Sequence, residues 1–421
     1  MKIYLVGGAI RNKILGLPVK DRDWVVVGSN TKFFIKNKYK QVGKKFPVFL
    51  HPHTHEEYAL ARTEKKNGFG YKGFKVNYSS DITLKEDLYR RDITINAIAK
   101  DKNGKYFDPF NGLKDIKKCI LKHISSSFSD DPLRVFRVAR FAALLFHLGF
   151  SIYKDTLCLM SSDYIKNEIK YLEKERIWQE TEKAFRTKNP NIYFKVLFKC
   201  NLIEIIFPEI YCLLNLNKKL YFLNKKYFFR QNIFKSLSYI SKFTNKVDIK
   251  ISFFIQMFFL NIYFCIPNNS KFLFFDFFLK YINNFFVRIN VPNKIKNLSI
   301  IFVKNINFLI NIHNKSSKEI VLLFKKINAW RNPDIVEKLS ILIDFYIDFL
   351  NIFYKNFFNN DISSGKYLKN VFKISRSISF KSINKNIKNG IEIQKKINKL
   401  KELAIDNWRY FLNKKIYKNK L

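Results

Sequence analysis

Two aspartates separated by one residue, Asp21 and Asp23, follow a short apolar run that ends in Gly7-Gly8 and continues to Arg11. If Asp23 opens a strand that runs to Val27, side chains two apart share one face, so both carboxylates can reach the same divalent ions. Their hard oxygens suit Mg²⁺, and a pair of such ions can activate an attacking hydroxyl while neutralising a leaving pyrophosphate. Gly7 and Gly8 carry no side chain, so their N–H groups can approach a triphosphate. Arg11, on the helix expected next, reaches the same phosphates. An isolated Asp-x-Asp is otherwise a solvated turn; the Gly-Gly turn before it favours the metal reading.

Two further groups extend the chemistry. Arg90-Arg91-Asp92 with Asn96 falls on a helix expected over Leu84–Lys100, where Asp92 and Asn96 share a face and the two arginines diverge. One arginine can then face a nucleotide phosphate or sugar; the plain alternative is a solvated helical face with one structural Asp. Asp130-Asp131-Pro132-Leu133-Arg134 leads to Arg137 and Arg140 on a helix expected over Pro132–Leu148, with Asp131 as N-cap and Pro132 at the first helical position. A carboxylate accepts from the exocyclic amine of cytosine or adenine while a guanidinium donates to the adjacent ring nitrogen; guanine and uracil reverse those groups. Asp131 and Arg134 can thus select C and A without a nucleic-acid template. The same residues also read as a capped helix with a phosphate-binding basic stripe.

These groups need a framework to hold them. Eleven of the thirteen glycines lie at or before Gly149, which divides a turn-rich front from a helical remainder. Residues 3–6, 23–27, 48–51, 57–62 and 74–78 read as strands between Gly, Pro and Asn punctuation. Beyond residue 150 apolar positions recur at helical spacing through 177–185, 192–200, 320–327 and 335–350. Segments 215–245 and 351–389 are Lys/Asn-rich and read as loops or degraded helices. The expected fold is α+β. Ile251–Ile266 has sixteen uncharged residues, fewer than the twenty or so of a spanning helix, and reads as a buried helix; no membrane association is expected.

The 421 residues carry 77 Lys and Arg against 34 Asp and Glu, a formal charge of +43, with 47% hydrophobic and 17% aromatic residues. Disorder and collagen-like repeats are excluded. The excess charge runs at similar density through residues 1–150 and 151–421 and suits a polyanionic partner, although an A+T-rich codon bias toward Lys, Asn, Ile and Phe accounts for part of it. Five cysteines, sparse and odd in number, indicate neither a disulfide framework nor a zinc ribbon. With no signal-peptide core at Ile3–Ile10, a reducing cytoplasm is expected.

In this order and spacing the three constellations resemble the class II bacterial tRNA nucleotidyltransferases that add CCA, most closely the enterobacterial type. Residues 1–212 carry the likeness densely: Asp21-Arg22-Asp23-Trp24-Val25-Val26-Val27-Gly28, Phe46-Pro47-Val48-Phe49-Leu50-His51-Pro52, His55 to Glu64, and Asp131-Pro132-Leu133-Arg134. Val291-Pro292-Asn293 and Ala329-Trp330-Arg331 match more thinly. The resemblance implies a polymerase-beta-like head over 1–120, a helical neck over 121–225 with the base-reading helix, and a degenerate helical body and tail over 226–421. It implies that Asp21 and Asp23 hold Mg²⁺, that Gly8, Arg11 and Arg91 bind the incoming CTP or ATP, that Asp131 and Arg134 read its base with Arg137 and Arg140 in support, and that tRNA is the acceptor. Partial addition, poly(A) polymerase activity and an inactive tRNA-binding protein are the alternatives.

Two departures stand out. Asp130 occupies the position where the family usually has Glu. Gln256-Met257 stands where enterobacterial relatives have the His-Asp pair of a phosphohydrolase domain, and after residue 148 the chain has one histidine, His313, so no such activity is expected. His51, His53 and His55 are read as lying near a substrate rim, and Glu57 as an ordinary exposed residue or, less favoured, a third carboxylate beside Asp23.

Overall fold

A computed structural model describes residues 1–42, 48–68, 73–215, 229–263, 271–354, 363–378 and 390–420. The chain forms two compact units, residues 1–219 with 287–290 and residues 220–286 with 291–421.

The first unit opens with β1 (Lys2–Val6), α1 (Gly8–Ile14), β2 (Asp23–Val27), α2 (Thr31–Lys36), β3 (Lys40–Val42), β4 (Val48–Leu50) and β5 (Glu57–Leu60). After the hairpin of β6 (Thr63–Lys66) and β7 (Phe74–Asn77) come α3 (Leu84–Tyr89), β8 (Ala99–Lys100) and β9 (Tyr106–Phe107). Seven strands form one sheet in the order β3-β4-β5-β2-β1-β8-β9, and β6-β7 stands apart from it. Strand alternation sorts the core: Val25 packs with Tyr4, Val6, Leu88, Ala97 and Ala99 on one face, and Val26 with Phe34, Phe49 and Leu60 on the other. Asp23 shares the face of Val25, at the end of β2 beside the segment that carries Arg91.

α4 (Gly112–Lys117) follows, and Gly112 is needed there because a Cβ would lie 2.3 Å from the Thr94 carbonyl oxygen. The helical part of this unit comprises α5 (Leu133–Leu145), α6 (Lys154–Met160), α7 (Asp163–Ile169), α8 (Lys174–Phe185), α9 (Pro190–Lys199), α10 (Ile203–Ile206) and α11 (Pro208–Asn215), with a short parallel pair β10 (Ile120–Leu121) and β11 (Ser151–Ile152) between them. In the second unit the helices are α12 (Phe229–Ile240), α13 (Val247–Tyr263), α14 (Lys271–Arg288, whose last two residues belong to the first unit), α15 (Asn293–Ile310), α16 (Ser317–Lys326), α17 (Asp334–Tyr354), α18 (Ser364–Ser377) and α19 (Gly390–Lys420). Apolar residues of α13, α15 and α17 form its core, and Lys338 bridges Asp248 at 2.7 Å and Asp334 at 2.6 Å.

The five expected strands and the helices over 177–185, 192–200, 320–327 and 335–350 are present. Ile251–Tyr263 is the buried helix expected, with residues 264–266 outside the described chain, and among described residues no helix is long and apolar enough to cross a membrane. Residues 229–240 and 364–377, within the two Lys/Asn-rich segments, are helices; 216–228, 355–362 and 379–389 lie outside the described residues.

The helix expected over Leu84–Lys100 is a correction. α3 ends at Tyr89, a 3₁₀ turn covers Thr94–Asn96, and β8 follows. The backbone groups of this stretch are taken by partners far away in sequence: Thr94 N–H donates to Lys122, the Ile98 carbonyl accepts from Gly7, and Ala99 pairs with Val6. Asp92 also accepts from Ile93 N–H, which competes with a helical bond. Tertiary pairing overrides the helical period. Two smaller corrections follow. α5 starts at Leu133 and ends at Leu145, with a 3₁₀ turn to Leu148, so Pro132 flanks the helix and Asp131 accepts from Leu133 N–H at 3.1 Å. β2 begins at Asp23, so Asp21 lies before the strand, not on it.

Candidate active site

The turn between β1 and α1 places the first group. Val6 pairs with Asp23 across the sheet, so the chain leaves β1 beside that carboxylate. Gly7 turns with φ +71°, left-handed backbone that favours glycine, and a Cβ there would lie 3.1 Å from Arg91 NH1. Arg91 therefore lies almost on the Gly7 backbone. Its other terminal nitrogen donates to Asp87 at 3.1 Å, and its Nε is buried without a hydrogen-bond partner.

Asp21, Asp23 and Glu57 share one field. Asp23 and Glu57 sit opposite each other in the parallel β2–β5 pair. Burial pushes the Asp23 carboxyl up, Arg91 pulls it down, and the charge of Asp21 raises it again. Glu57 is also raised, by burial and then by Asp23 and Asp21. Burial first, and neighbouring negative charge after it, disfavour the charged forms of Asp23 and Glu57, a cost that a cation would relieve. Among described residues no three Asp, Glu, His or Cys side chains form a ready cage for an ion. Two carboxylates nevertheless suit a hard divalent ion that completes its shell with water and phosphate oxygens. Glu57 thus lies beside Asp23 in this acidic group, not on an unrelated exposed face.

Three arginines form the opposite pole. The Phe141 ring has the guanidinium carbons of Arg140, Arg11 and Arg137 at 4.1, 4.8 and 5.8 Å from its centre. Arg11 is 5% exposed, and its pKa falls to about 10 through burial, then repulsion from Arg140, with Arg137 adding to it. Arg11 donates to Asn96 Oδ1 at 2.6 Å, and Asn96 donates in turn to Asp92 at 3.0 Å, so the pairing expected on a helix is made across a turn. Burial opposes the charge of Asp92, yet Arg137 at 2.7 Å, Asn96 and the Ile93 N–H hold its carboxyl well below the usual range. The result is a buried excess of positive charge that an anion would relieve.

Asp131 and Arg134, expected to read the base, are each held by neighbours within the first unit. Arg134 donates from NH1 to the Ser127 carbonyl and from NH2 to the Arg90 carbonyl, both at 2.6 Å. A guanidinium has five N–H donors, so three remain for a ligand. Asp131 accepts from Leu133 N–H through one oxygen and from Arg176 through the other at 3.0 Å. Arg140 is paired with Glu180 at 2.5 Å, and Thr181 next to it bonds Tyr193. The expected residues Asp21, Asp23, Gly8, Arg11, Arg91, Asp131, Arg134, Arg137 and Arg140 all fall within the first unit, around the Gly-Gly turn and along α5.

Sequence reading missed the residues behind them: Asp87 and Glu64, which hold Arg90 and Arg91, and Arg176 and Glu180, which orient Asp131 and Arg140. Glu180 carried a usable signal, because it lies between Ile177, Thr181 and Ala184 on the buried side of α8. His51 accepts from the His53 and Thr54 N–H groups in a turn next to Glu57 and packs against Tyr39 and Tyr58.

A family model described as the poly A polymerase head domain matches residues 3–122, and one described as the probable RNA and SrmB-binding site of polymerase A matches residues 149–213. The CCA-adding enzyme of Buchnera aphidicola subsp. Acyrthosiphon pisum (strain Tuc7) is 46% identical over 413 residues, 97% of this chain and 98% of that one. The CCA-adding enzyme of Buchnera aphidicola subsp. Cinara cedri (strain Cc) is 49% identical over 411 residues, 95% and 96% of the two chains. Among solved structures, the Bacillus stearothermophilus CCA-adding enzyme in complex with CTP superposes with a TM-score of 0.65 at 16% identity, covering 99% of this chain and 94% of its own. The apo form II of a CCA-adding enzyme gives 0.63 at 20% identity, covering 96% and 88%. Both structures share the fold, and the near full-length identity to the curated relatives goes further: this chain belongs to the CCA-adding enzyme family.

Proposed function

We propose that the chain adds C, C and A to the 3′ end of tRNA from CTP and ATP, without a nucleic-acid template and with release of pyrophosphate. The observation that carries this reading is the polarity of the site: a cation-deficient group of carboxylates on one side of the Gly-Gly turn and an anion-deficient group of arginines on the other. The family relationship implies a divalent metal; the hard-oxygen pair Asp21 and Asp23 favours Mg²⁺. When bound there, such ions lower the pKa of the attacking 3′-hydroxyl and offset charge on the leaving pyrophosphate. The chain's own residues do the rest. Gly8 N–H, Arg11 and Arg91 take the triphosphate, Arg137 and Arg140 hold the positive field, and Asp131 and Arg134 accept C or A by the edge it presents. Catalysis is then positioning and electrostatics, with no covalent step on the protein.

We read residues 1–120 as head, 121–225 as neck and 226–421 as body and tail, in a cytoplasmic protein. The body offers RNA a matching surface: Lys366, Lys369, Lys373 and Arg376 are exposed on one face of α18 at three- and four-residue steps, and no ion pair shorter than 4.0 Å to them occurs among described residues. In α13, Gln256 and Met257 are fully buried, and Gln256 offers a neutral amide where a metal phosphohydrolase needs imidazole and carboxylate.

Incubation of tRNA lacking its CCA with labelled CTP and ATP tests the main reading; incorporation of A alone would make the chain a poly(A) polymerase. Asp21→Ala or Asp23→Ala should cut incorporation of both nucleotides by more than about 10³-fold, because those groups hold metal and not RNA. Filter binding of tRNA at fixed salt should be unchanged, and a parallel loss would count against the assignment. Arg134→Ala should relax base choice by about 1 to 3 kcal/mol, letting U and G compete. A variant that still rejects UTP and GTP as the parent does would leave α5 only a phosphate stripe. Replacing Lys369 and Lys373 together by Ala should weaken tRNA binding and lower its dependence on log salt by up to about two units; an unchanged slope removes α18 from the interface. Finally, no phosphate should be released from 2′,3′-cyclic or 2′-phosphorylated nucleotides with magnesium or nickel. Hydrolysis that Gln256→Ala abolishes would reverse that reading.

A further inference from the structure

Arg134 donates to two backbone carbonyls, and the residue that carries one of them, Arg90, is tied to β6. The Arg90 carbonyl is set by the Arg90 side chain, which binds Glu64 of β6 at 2.9 Å as well as Asp87. The Ser127 carbonyl belongs to the 3₁₀ turn Ser126–Asp130 that leads into α5. Asp130 at the end of that turn is raised by burial and lowered by Arg134 and then by Lys66 of β6, while Glu168 acts against it. Glu64 and Lys66 are two apart on one strand and so share a face.

Lys66 is itself enclosed. Its side chain is 13% exposed and lies 2.8 Å from Glu168 of α7, which is 5% exposed. Burial opposes the Lys66 charge, and its contacts with Glu168 and Tyr164 more than offset that cost. Lys66 also donates to the Tyr164 hydroxyl at 2.8 Å and sits 4.9 Å from that ring's centre. One cation therefore stands among two partly or fully buried carboxylates and ties the β6–β7 hairpin to a helix a hundred residues away in sequence.

We infer that Lys66 and Glu168 are positioning residues for base selection: they hold β6, whose Glu64 binds Arg90, and so steady the Arg90 carbonyl that anchors Arg134. The inference rests on the proposed role of Arg134. Removing the Lys66 charge takes its partner from the buried Glu168 and leaves Arg134 alone to offset the repulsion between Glu168 and Asp130, which loosens β6 and loads Arg134 itself. Neither residue touches the metal carboxylates, so the effect is on nucleotide choice and not on the chemical step.

The test is steady-state addition of C and A, with UTP and GTP as competitors, alongside thermal melting. Lys66→Met should raise KM for CTP and ATP and relax discrimination by about tenfold, with kcat changed much less. Lys66→Arg should restore selection, and so should Lys66→Met combined with Asp130→Asn, since the repulsion is then gone. A purely structural lysine would not be rescued by neutralising Asp130. Unchanged KM and discrimination in Lys66→Met, or activity lost only in proportion to unfolded protein, overturns the inference. If Lys66→Met does not fold, Glu168→Gln decides: it must alter KM or base choice at an intact melting temperature. Should the unaltered protein add neither C nor A, the proposed function fails first, which separates the two failures.

Discussion

The site depends on keeping Asp92 ionised where almost no water reaches it. A carboxylate so buried is costly unless donors surround it, and here Arg137, Asn96 and the Ile93 N–H all converge on its two oxygens. Each of those donors belongs to a different part of the machinery. Arg137 comes from α5, Asn96 orients Arg11, and Ile93 begins the turn that runs to β8 and the Gly7 contact. Without the charge on Asp92, Arg137 would lose its ion-pair partner and stand against Arg11 and Arg140 with only Glu180 and Asp131 to offset it. The broken helix after Tyr89 is therefore a requirement of the site.

Like charges held together store a tendency to bind the opposite charge. Burial and then its cationic neighbours pull Arg11 down, and burial and then their anionic neighbours push Asp23 and Glu57 up. The strands alone do not produce this; they place Asp23 at one end of β2 and deliver Gly7 next to it. The separation of signs comes from α5, which carries three arginines past the end of the sheet, while Glu180 and Asp92 neutralise only part of their charge. A nucleoside triphosphate with its divalent ions has the complementary arrangement, negative phosphates and positive metal, so such a ligand bound here would discharge both groups at once.

Much of this was legible in the sequence because it was local. The strand over 23–27 was expected from its residues, the Gly-Gly pair announced a turn whose N–H groups a phosphate could approach, and the helical spacing through 320–327 and 335–350 announced helices of the second unit. What stayed hidden was non-local. Nothing near Leu84–Lys100 says that Thr94 will bond Lys122 or that Ala99 will join β1, so the apolar period read as a helix through a stretch that is turn and strand. In the same way Glu57 reads as one more surface carboxylate until the parallel pairing of β2 with β5 sets it against Asp23.

A signal of a different kind was present in the composition. The chain has 15 Arg against 62 Lys, and eight of the fifteen, Arg11, Arg62, Arg90, Arg91, Arg134, Arg137, Arg140 and Arg176, belong to this one network. Arg90 shows what lysine cannot do: from one planar group it reaches the Arg62 carbonyl, Asp87 and Glu64. Arg134 likewise spans two carbonyls with donors left over, a geometry that a single ammonium with its three donors on a flexible stem does not fix. Even inside the network the rule has an exception that supports it. Lys66, whose compact ammonium meets the Glu168 carboxylate and the Tyr164 hydroxyl together, is a lysine. In a chain this rich in lysine, the positions of arginine therefore mark where directional bonding, and not charge alone, shapes the site.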